Sequence, residues 1–121
     1  MSIILIADDS KFMRCFLKNK LQQQRTLTFV EASDGQEAID IYKLIKADVT
    51  FLDITMPKVN GLTALREIME FDASATVIMC SAIGTESNII EALKIGAKDF
   101  IVKPNLNCLV NILEKLDRNK N

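Results

Sequence analysis

Histidine is missing from this 121-residue chain, and with it go the usual zinc ligand and the usual general base near neutral pH. Any phosphohistidine or catalytic histidine must come from a partner. No apolar stretch approaches the length that spans a bilayer, and the first residues lack the basic, apolar, small-residue order of a signal peptide. Neither membrane insertion nor secretion is expected, and the cytoplasm is the expected compartment. Basic and acidic residues number 15 and 16 with no basic run among them, so the phosphate-neutralising patch that nucleic-acid binding requires is absent. Cysteine is scarce and odd in number. Cys15, Cys80 and Cys108 form no Cys-x-x-Cys and lie in apolar-rich segments, which reads as buried reduced thiols, with metal binding a poor second. The phosphate loop of nucleotide-binding enzymes is missing too.

What is present is an ordinary composition, 49% apolar with a net charge of −1, in a chain whose length suits one domain with a single core. Residues 1–121 are expected to form that domain, with no repeat or linker. Five short apolar runs punctuate the chain: 3–7, 26–32, 47–53, 75–81 and 97–102. Between them, apolar residues recur at helical spacing. Phe12, Met13, Phe16, Leu17 and Leu21 mark a first helix running to about Gln24, capped by Asp9 or Ser10. Ser33 to Gln36 offers a capping box for a second, through Ala38, Ile41 and Tyr42. Asn60-Gly61 opens a third, carrying Leu62, Leu65, Ile68 and Met69 and stopping near Phe71-Asp72. A fourth, capped by Thr85 or Ser87, carries Ile89, Ile90, Leu93 and Ile95 and closes at Gly96. A fifth is expected over 106–116, followed by a polar tail. Strands alternating with helices imply an α/β fold, doubly wound, with a parallel sheet covered on both faces.

The charged residues that end these runs carry the chemistry. Asp8-Asp9 follow the first run, Asp53 closes the third and Lys103 follows the last, and open α/β sheets bind ligands at the carboxyl ends of their strands. Taken singly, an acid after a strand is as readily a helix cap or a loop solubiliser. Together, three carboxylates on one edge raise the proton affinity of at least one unless a cation joins them. Oxygen-only ligands that leave room for water and a phosphoryl group suit Mg²⁺ better than Ca²⁺. With its charge partly neutralised by metal and Lys103, Asp53 can act as an oxygen nucleophile toward phosphorus, forming an acyl phosphate. Pro104 restricts Lys103, which helps to aim the ammonium, although a plain loop proline reads the same way. Ser81 ends the fourth run, where its hydroxyl can donate to a phosphoryl oxygen or simply bond its own loop.

In order and spacing, the motifs Ile6-Ala7-Asp8-Asp9-Ser10, Leu52-Asp53-Ile54-Thr55-Met56-Pro57, Asn60-Gly61, Ser81-Ala82 and Gly96-Ala97-Lys98-Asp99-Phe100-Ile101-Val102-Lys103-Pro104 resemble the receiver domains of two-component response regulators. The resemblance covers the whole chain and implies a flavodoxin-like five-stranded sheet of order 2-1-3-4-5 with five helices. It implies that Asp53 is the phosphoacceptor and Asp9 a direct Mg²⁺ ligand, that Asp8 acts on the metal through water, and that the Thr55 backbone carbonyl completes the protein's ligands. Lys103 would pair with the phosphoryl group, Ser81 would hold the family's hydroxyl position, and Ser81 with Phe100 would form the switch. Phe100 stands where chemotaxis members more often have Tyr, and Asn105 where a Phe often follows Lys-Pro.

The implied function is phosphorylation-dependent protein binding without catalytic turnover. The implied partners are a CheA-like sensor histidine kinase and a flagellar motor switch, or another protein, bound by the fourth helix, fifth strand and fifth helix. Chemotaxis is the leading pathway and a phosphorelay intermediate the alternative. Ile83, apolar and two residues past Ser81, suggests slow self-dephosphorylation and a separate phosphatase. A haloacid-dehalogenase-like phosphatase also uses a strand-end Asp and Mg²⁺, but that class usually needs a second Asp where this chain has Thr55. A flavin-binding relative of the same fold is disfavoured because Asp8-Asp9 would repel its phosphate.

Overall fold

The computed structural model describes residues 2–22 and 27–103, so the expected helix at 106–116, Pro104 and Cys108 lie outside the described residues. Strands and helices alternate in the order β1 Ser2–Ala7, α1 Lys11–Gln22, β2 Leu27–Ala32, α2 Gly35–Ile45, β3 Val49–Leu52, α3 Gly61–Phe71, β4 Val77–Ser81, α4 Glu86–Ile95 and β5 Asp99–Val102. The described residues therefore hold four helices where five were expected for the chain. All strand pairs are parallel, in the order β2-β1-β3-β4-β5, as the resemblance implied.

Side chains on successive strand residues point to opposite faces, and the central strands use both faces for burial. Ile4 and Ile6 of β1, Val49 and Phe51 of β3, and Ile78 and Cys80 of β4 join Leu17 and Leu21 of α1 in one core. Leu5, Leu52, Val77 and Met79 face the other way, onto Ala38, Ile39 and Tyr42 of α2, Ala64, Leu65 and Ile68 of α3, and Ala92 of α4. Each large aliphatic side chain so buried contributes about 1.5–3 kcal/mol. Three strands start later than the apolar runs suggested. Ala47, Ala75 and Ala97 are buried but lie before their ladders begin, because apolar character reports burial and not hydrogen-bonded pairing.

Several local expectations are corrected. The second helix is capped by Asp34, not Ser33: Asp34 accepts from the Glu37 N–H, while the Glu37 carboxylate accepts from the Ser33 N–H at 2.8 Å. The reciprocal box is thus shifted by one residue. Ser10, Asn60 and Thr85 cap α1, α3 and α4 as their sequence positions suggested. On α1 the seated residues are Leu17 and Leu21, with Met13 half-buried. Phe12 is 75% exposed and stacks on Phe16, over which Lys20 lies. Cys15 is exposed as well, so of the two described thiols Cys80 alone is buried. The period was right, but the apolar stripe is wider than the face the sheet covers. On α4 the buried residue is Ala92, whereas Ile90 and Leu93 are exposed.

Opposite outcomes follow for the two faces of α1. Leu17→Ala should cost about 2–5 kcal/mol in urea unfolding, and Phe12→Ala should stay within about 0.5 kcal/mol of the parent. Equal losses would show that α1 seats on a different face.

Candidate functional site

Strand order and register assemble the site. Ala7 is paired with Leu52, so Asp8 and Asp53 leave adjacent strands at one level, and the Asp53 N–H donates to the Ala7 carbonyl at 3.0 Å. Ser81 is paired with Val102 on the next two strands, and the Lys103 N–H donates to the Ser81 carbonyl at 2.9 Å. Asp53 therefore stands at the middle of the edge, with Asp8 on one side and Ser81 and Lys103 on the other. The turn after Asp53 is held from behind. The Gly61 N–H donates to the Ile54 carbonyl at 2.7 Å, and a Cβ at Gly61 would collide with the Asp53 carbonyl.

Asp8 and Asp53 are buried and Asp9 is exposed, yet one carboxylate oxygen from each lies within 4.8 Å of the others. Octahedral Mg²⁺ holds oxygens at about 2.1 Å, hence up to ~4.2 Å apart across the ion, so a trio of this spread suits one cation, held directly or through water. The donor set fits the metal: hard oxygens only, with one exposed carboxylate leaving room for water. Lys103 enters from the far side. Its ammonium donates to Asp8 Oδ2 at 2.6 Å and to Asp53 Oδ2 at 3.4 Å, and the other Asp8 oxygen accepts from the Ser10 N–H at 2.9 Å.

Two buried carboxylates thus share one buried ammonium. Burial pushes the Asp53 carboxyl up from its ordinary value, the Asp8 charge adds to that rise, and Lys103 only partly opposes it. Burial works against the Lys103 ammonium, but the hydrogen bond to Asp8 and the charges of Asp53 and Asp8 outweigh it and hold its pKa above the usual lysine value.

The other expected site residues are less closely engaged. Ser81 is buried and its hydroxyl accepts from the Ile83 N–H at 3.1 Å, which is the loop-bonding role open to any strand-end serine. That bond leaves the hydroxyl proton uncommitted. Thr55 is exposed in the loop after Asp53. Phe100 is half-buried, paired with Met79 and packed against the core on the α2, α3 and α4 side. One contributor had no sequence signal. Arg14 of α1 donates to the Asp8 backbone carbonyl at 2.6 Å, a contact that no spacing rule anticipates.

Comparison with known proteins places the chain in a family. The model of the response regulator receiver domain matches residues 4–114. The chemotaxis protein CheY of Thermotoga maritima is 48% identical over 101 residues, 84% of this chain and 84% of that protein. A solved CheX–CheY complex with BeF3 and Mg²⁺ from Borrelia burgdorferi aligns with a TM-score of 0.82 at 39% identity, covering 99% of this chain and 90% of that one. The response regulator domain of Thermotoga maritima CheB aligns with a TM-score of 0.85 at 38% identity, covering 98% and 95%. The chain belongs to the response regulator receiver family. Within it, this is a receiver domain resembling the CheY chemotaxis regulators.

The raised Asp53 pKa has a defined consequence for stability. A carboxyl that holds its proton more tightly when folded contributes stability at low pH, and that contribution is lost as pH rises through the folded value. Without divalent metal, Asp53→Asn should therefore melt at a higher temperature than the parent at pH 7, and the gain should fade as the pH approaches the ordinary Asp value of about 3.9. Thermal unfolding in chelator checks this; an unchanged or lower midpoint at pH 7 would contradict it.

Proposed function

We propose that Asp53 accepts a phosphoryl group from the phosphohistidine of a sensor kinase, and that the phosphorylated domain signals by binding another protein. The convergence of Asp8, Asp9 and Asp53 on one point, with Lys103 bonded to two of them, carries this reading. Asp9 and Asp53 would hold Mg²⁺ directly, Asp8 through water, with the Thr55 carbonyl as a further ligand. The bound ion would offset negative charge on the carboxylates and the incoming phosphoryl oxygens. An Asp53 carboxylate oxygen then attacks phosphorus, the P–N bond to the donor imidazole breaks as the new P–O bond forms, and the imidazole leaves with the electron pair. Lys103 would shift from Asp8 toward the phosphoryl oxygens. The chain's lack of histidine fits a domain that receives phosphate and relies on a partner to present it.

Phosphorylation adds roughly −1.5 to −2 charges at Asp53, and the uncommitted Ser81 proton is the nearby neutral donor that can answer it. Inward movement of Ser81 would vacate space for Phe100, the coupled switch of the family. The readout face would be α4 and β5 together with the segment 106–116. On its described part, Ile90, Leu93 and Val102 are exposed apolar residues, which suits a protein partner. Likeness to CheY favours a flagellar motor switch protein as target and a CheA-like kinase as donor, in the cytoplasm.

Incubation with a small-molecule phosphodonor and Mg²⁺ should add one acid-stable, base-labile phosphoryl group, read by intact mass, and none without Mg²⁺ or in Asp53→Asn. Continuous turnover of the donor would favour a phosphatase, and no adduct a pure interaction module. Ile83, exposed beside Ser81, would slow hydrolysis by excluding water, so Ile83→Glu should shorten the adduct's lifetime. Ser81→Ala should still be phosphorylated but lose most of the phosphorylation-dependent gain in partner affinity. A full gain in that variant, measured by binding with and without beryllofluoride, would refute the switch.

A further inference from the structure

The acidic pair lies on a connection of only three residues, Asp8 to Ser10, between β1 and α1. Its main chain is gripped from both sides. The Asp8 N–H donates to the Ala32 carbonyl at 3.0 Å, and the Asp8 carbonyl accepts from Arg14 Nη1 at 2.6 Å. Arg14 Nε in turn donates to Glu31 Oε1 at 2.8 Å, and Lys18 reaches the other Glu31 oxygen at 3.3 Å. Glu31 and Ala32 are the last two residues of β2. The edge strand thus holds Asp8 directly through Ala32, and again through Glu31 and Arg14.

The guanidinium suits that second route. Its planar fork offers separate donors in fixed directions, so one side chain bridges a carboxylate and a carbonyl, which a lysine ammonium on a flexible stem does with far less definition. The Arg14 side chain is only 13% exposed, so water competes weakly for these bonds. The carbonyl it holds belongs to the peptide that joins Asp8 to Asp9. That unit is planar, so fixing the direction of its oxygen also fixes the N–Cα bond of Asp9, and only the φ and side-chain torsions of Asp9 are left to aim its carboxylate. Asp9 is the exposed member of the trio.

We propose that Arg14, anchored by Glu31, is a positioning residue that sets the Asp8–Asp9 peptide plane and thereby presents the Asp9 carboxylate to the divalent cation. The inference rests on the reading of Asp8, Asp9 and Asp53 as a Mg²⁺ cradle. Two simpler roles make different forecasts. If Arg14 acted only as a nearby positive charge it would repel Mg²⁺, and neutralising it would tighten binding. If it only braced α1 against β2, its loss would lower the melting temperature and leave metal affinity unchanged.

A titration of MgCl2 into the isotope-labelled chain, followed by amide NMR shifts, separates these roles in the parent, Arg14→Met, Arg14→Lys and Lys18→Met. Ligand-orienting partners typically change metal affinity 10–100-fold. Arg14→Met and Arg14→Lys should each weaken Mg²⁺ binding about tenfold, at the lower end of that range because Ala32 still holds the other side of Asp8. Lys18→Met, which removes a charge from the same helix and the same glutamate without touching Asp8, should bind as the parent does or slightly more tightly. Arg14→Lys keeps the charge, so it decides the matter even if Arg14→Met fails to fold. Parent-like or tighter binding in the Arg14 variants would overturn the positioning role and leave the cradle intact. A parent chain that showed no saturable Mg²⁺ shifts at the acidic residues would overturn the cradle itself.

Discussion

Negative charges gathered at one end of a parallel sheet must be compensated, and the arrangement around Asp53 follows from that requirement. Strand order puts the ends of β1 and β3 side by side, so two carboxylates meet where water is largely excluded and their repulsion is far stronger than in bulk solvent. A single ammonium, Lys103, bridges them at 2.6 and 3.4 Å and leaves one negative charge of the pair uncompensated. Burial first, and then the Asp8 charge, raise the proton affinity of Asp53, and Lys103 offsets only part of that rise. In the proposed function a divalent cation would offset the remaining charge, and an incoming phosphoryl group would give Lys103 a second anion to neutralise. The proposed acceptance of metal and phosphate would thus complement an uncompensated negative charge built into the site.

Holding such a charge in place takes rigidity from mostly neutral parts of the molecule. β3 and β4 beneath the site are buried on both faces, and Gly61 lets the start of α3 close directly over the Asp53 carbonyl. On the other side Gly35 admits the backbone of Val59, and Lys58, at φ 65, pairs with Asp34 at 3.6 Å. The loop bearing Thr55 is thereby tied to the start of α2. At the opposite end of the edge, Gly84 sits against the Val102 side chain, linking the loop after Ser81 to β5. Apart from the Lys58–Asp34 pair, these close approaches carry no charge. They restrict how far the carboxylates can move apart to relieve their repulsion.

Much of this was legible in the sequence, and the reasons differ from part to part. The strands could be read because each apolar run is short and ends in a charged or turn residue, and Asp8, Asp53 and Lys103 could be read as strand-end groups for the same reason. Strand order was not visible in spacing; the motif resemblance implied it and the parallel ladders bear it out. Amphipathic faces were harder. Phe12 and Phe16 share the helical period of Leu17 and Leu21, yet the sheet covers only part of that stripe. Ile90 and Leu93 mark a face of α4 that the core does not use, while the small Ala92 seats the helix. The sequence reading misses the Asp34 cap by one residue because Ser33 with Gln36 and Asp34 with Glu37 make two overlapping boxes. Arg14 was invisible in kind: its partner is a backbone carbonyl, and backbone atoms leave no trace in residue type.

The claim at the centre is that Asp53 is the point on which metal, ammonium and phosphoryl group converge. A crystal structure grown with Mg²⁺ and beryllofluoride tests it most directly. The expected result is a beryllofluoride on the Asp53 carboxylate, Mg²⁺ against Asp9 and Asp53, and the Lys103 ammonium moved off Asp8 onto a fluoride. An adduct on another residue, or Lys103 still bonded to Asp8 with the adduct formed, would contradict the account.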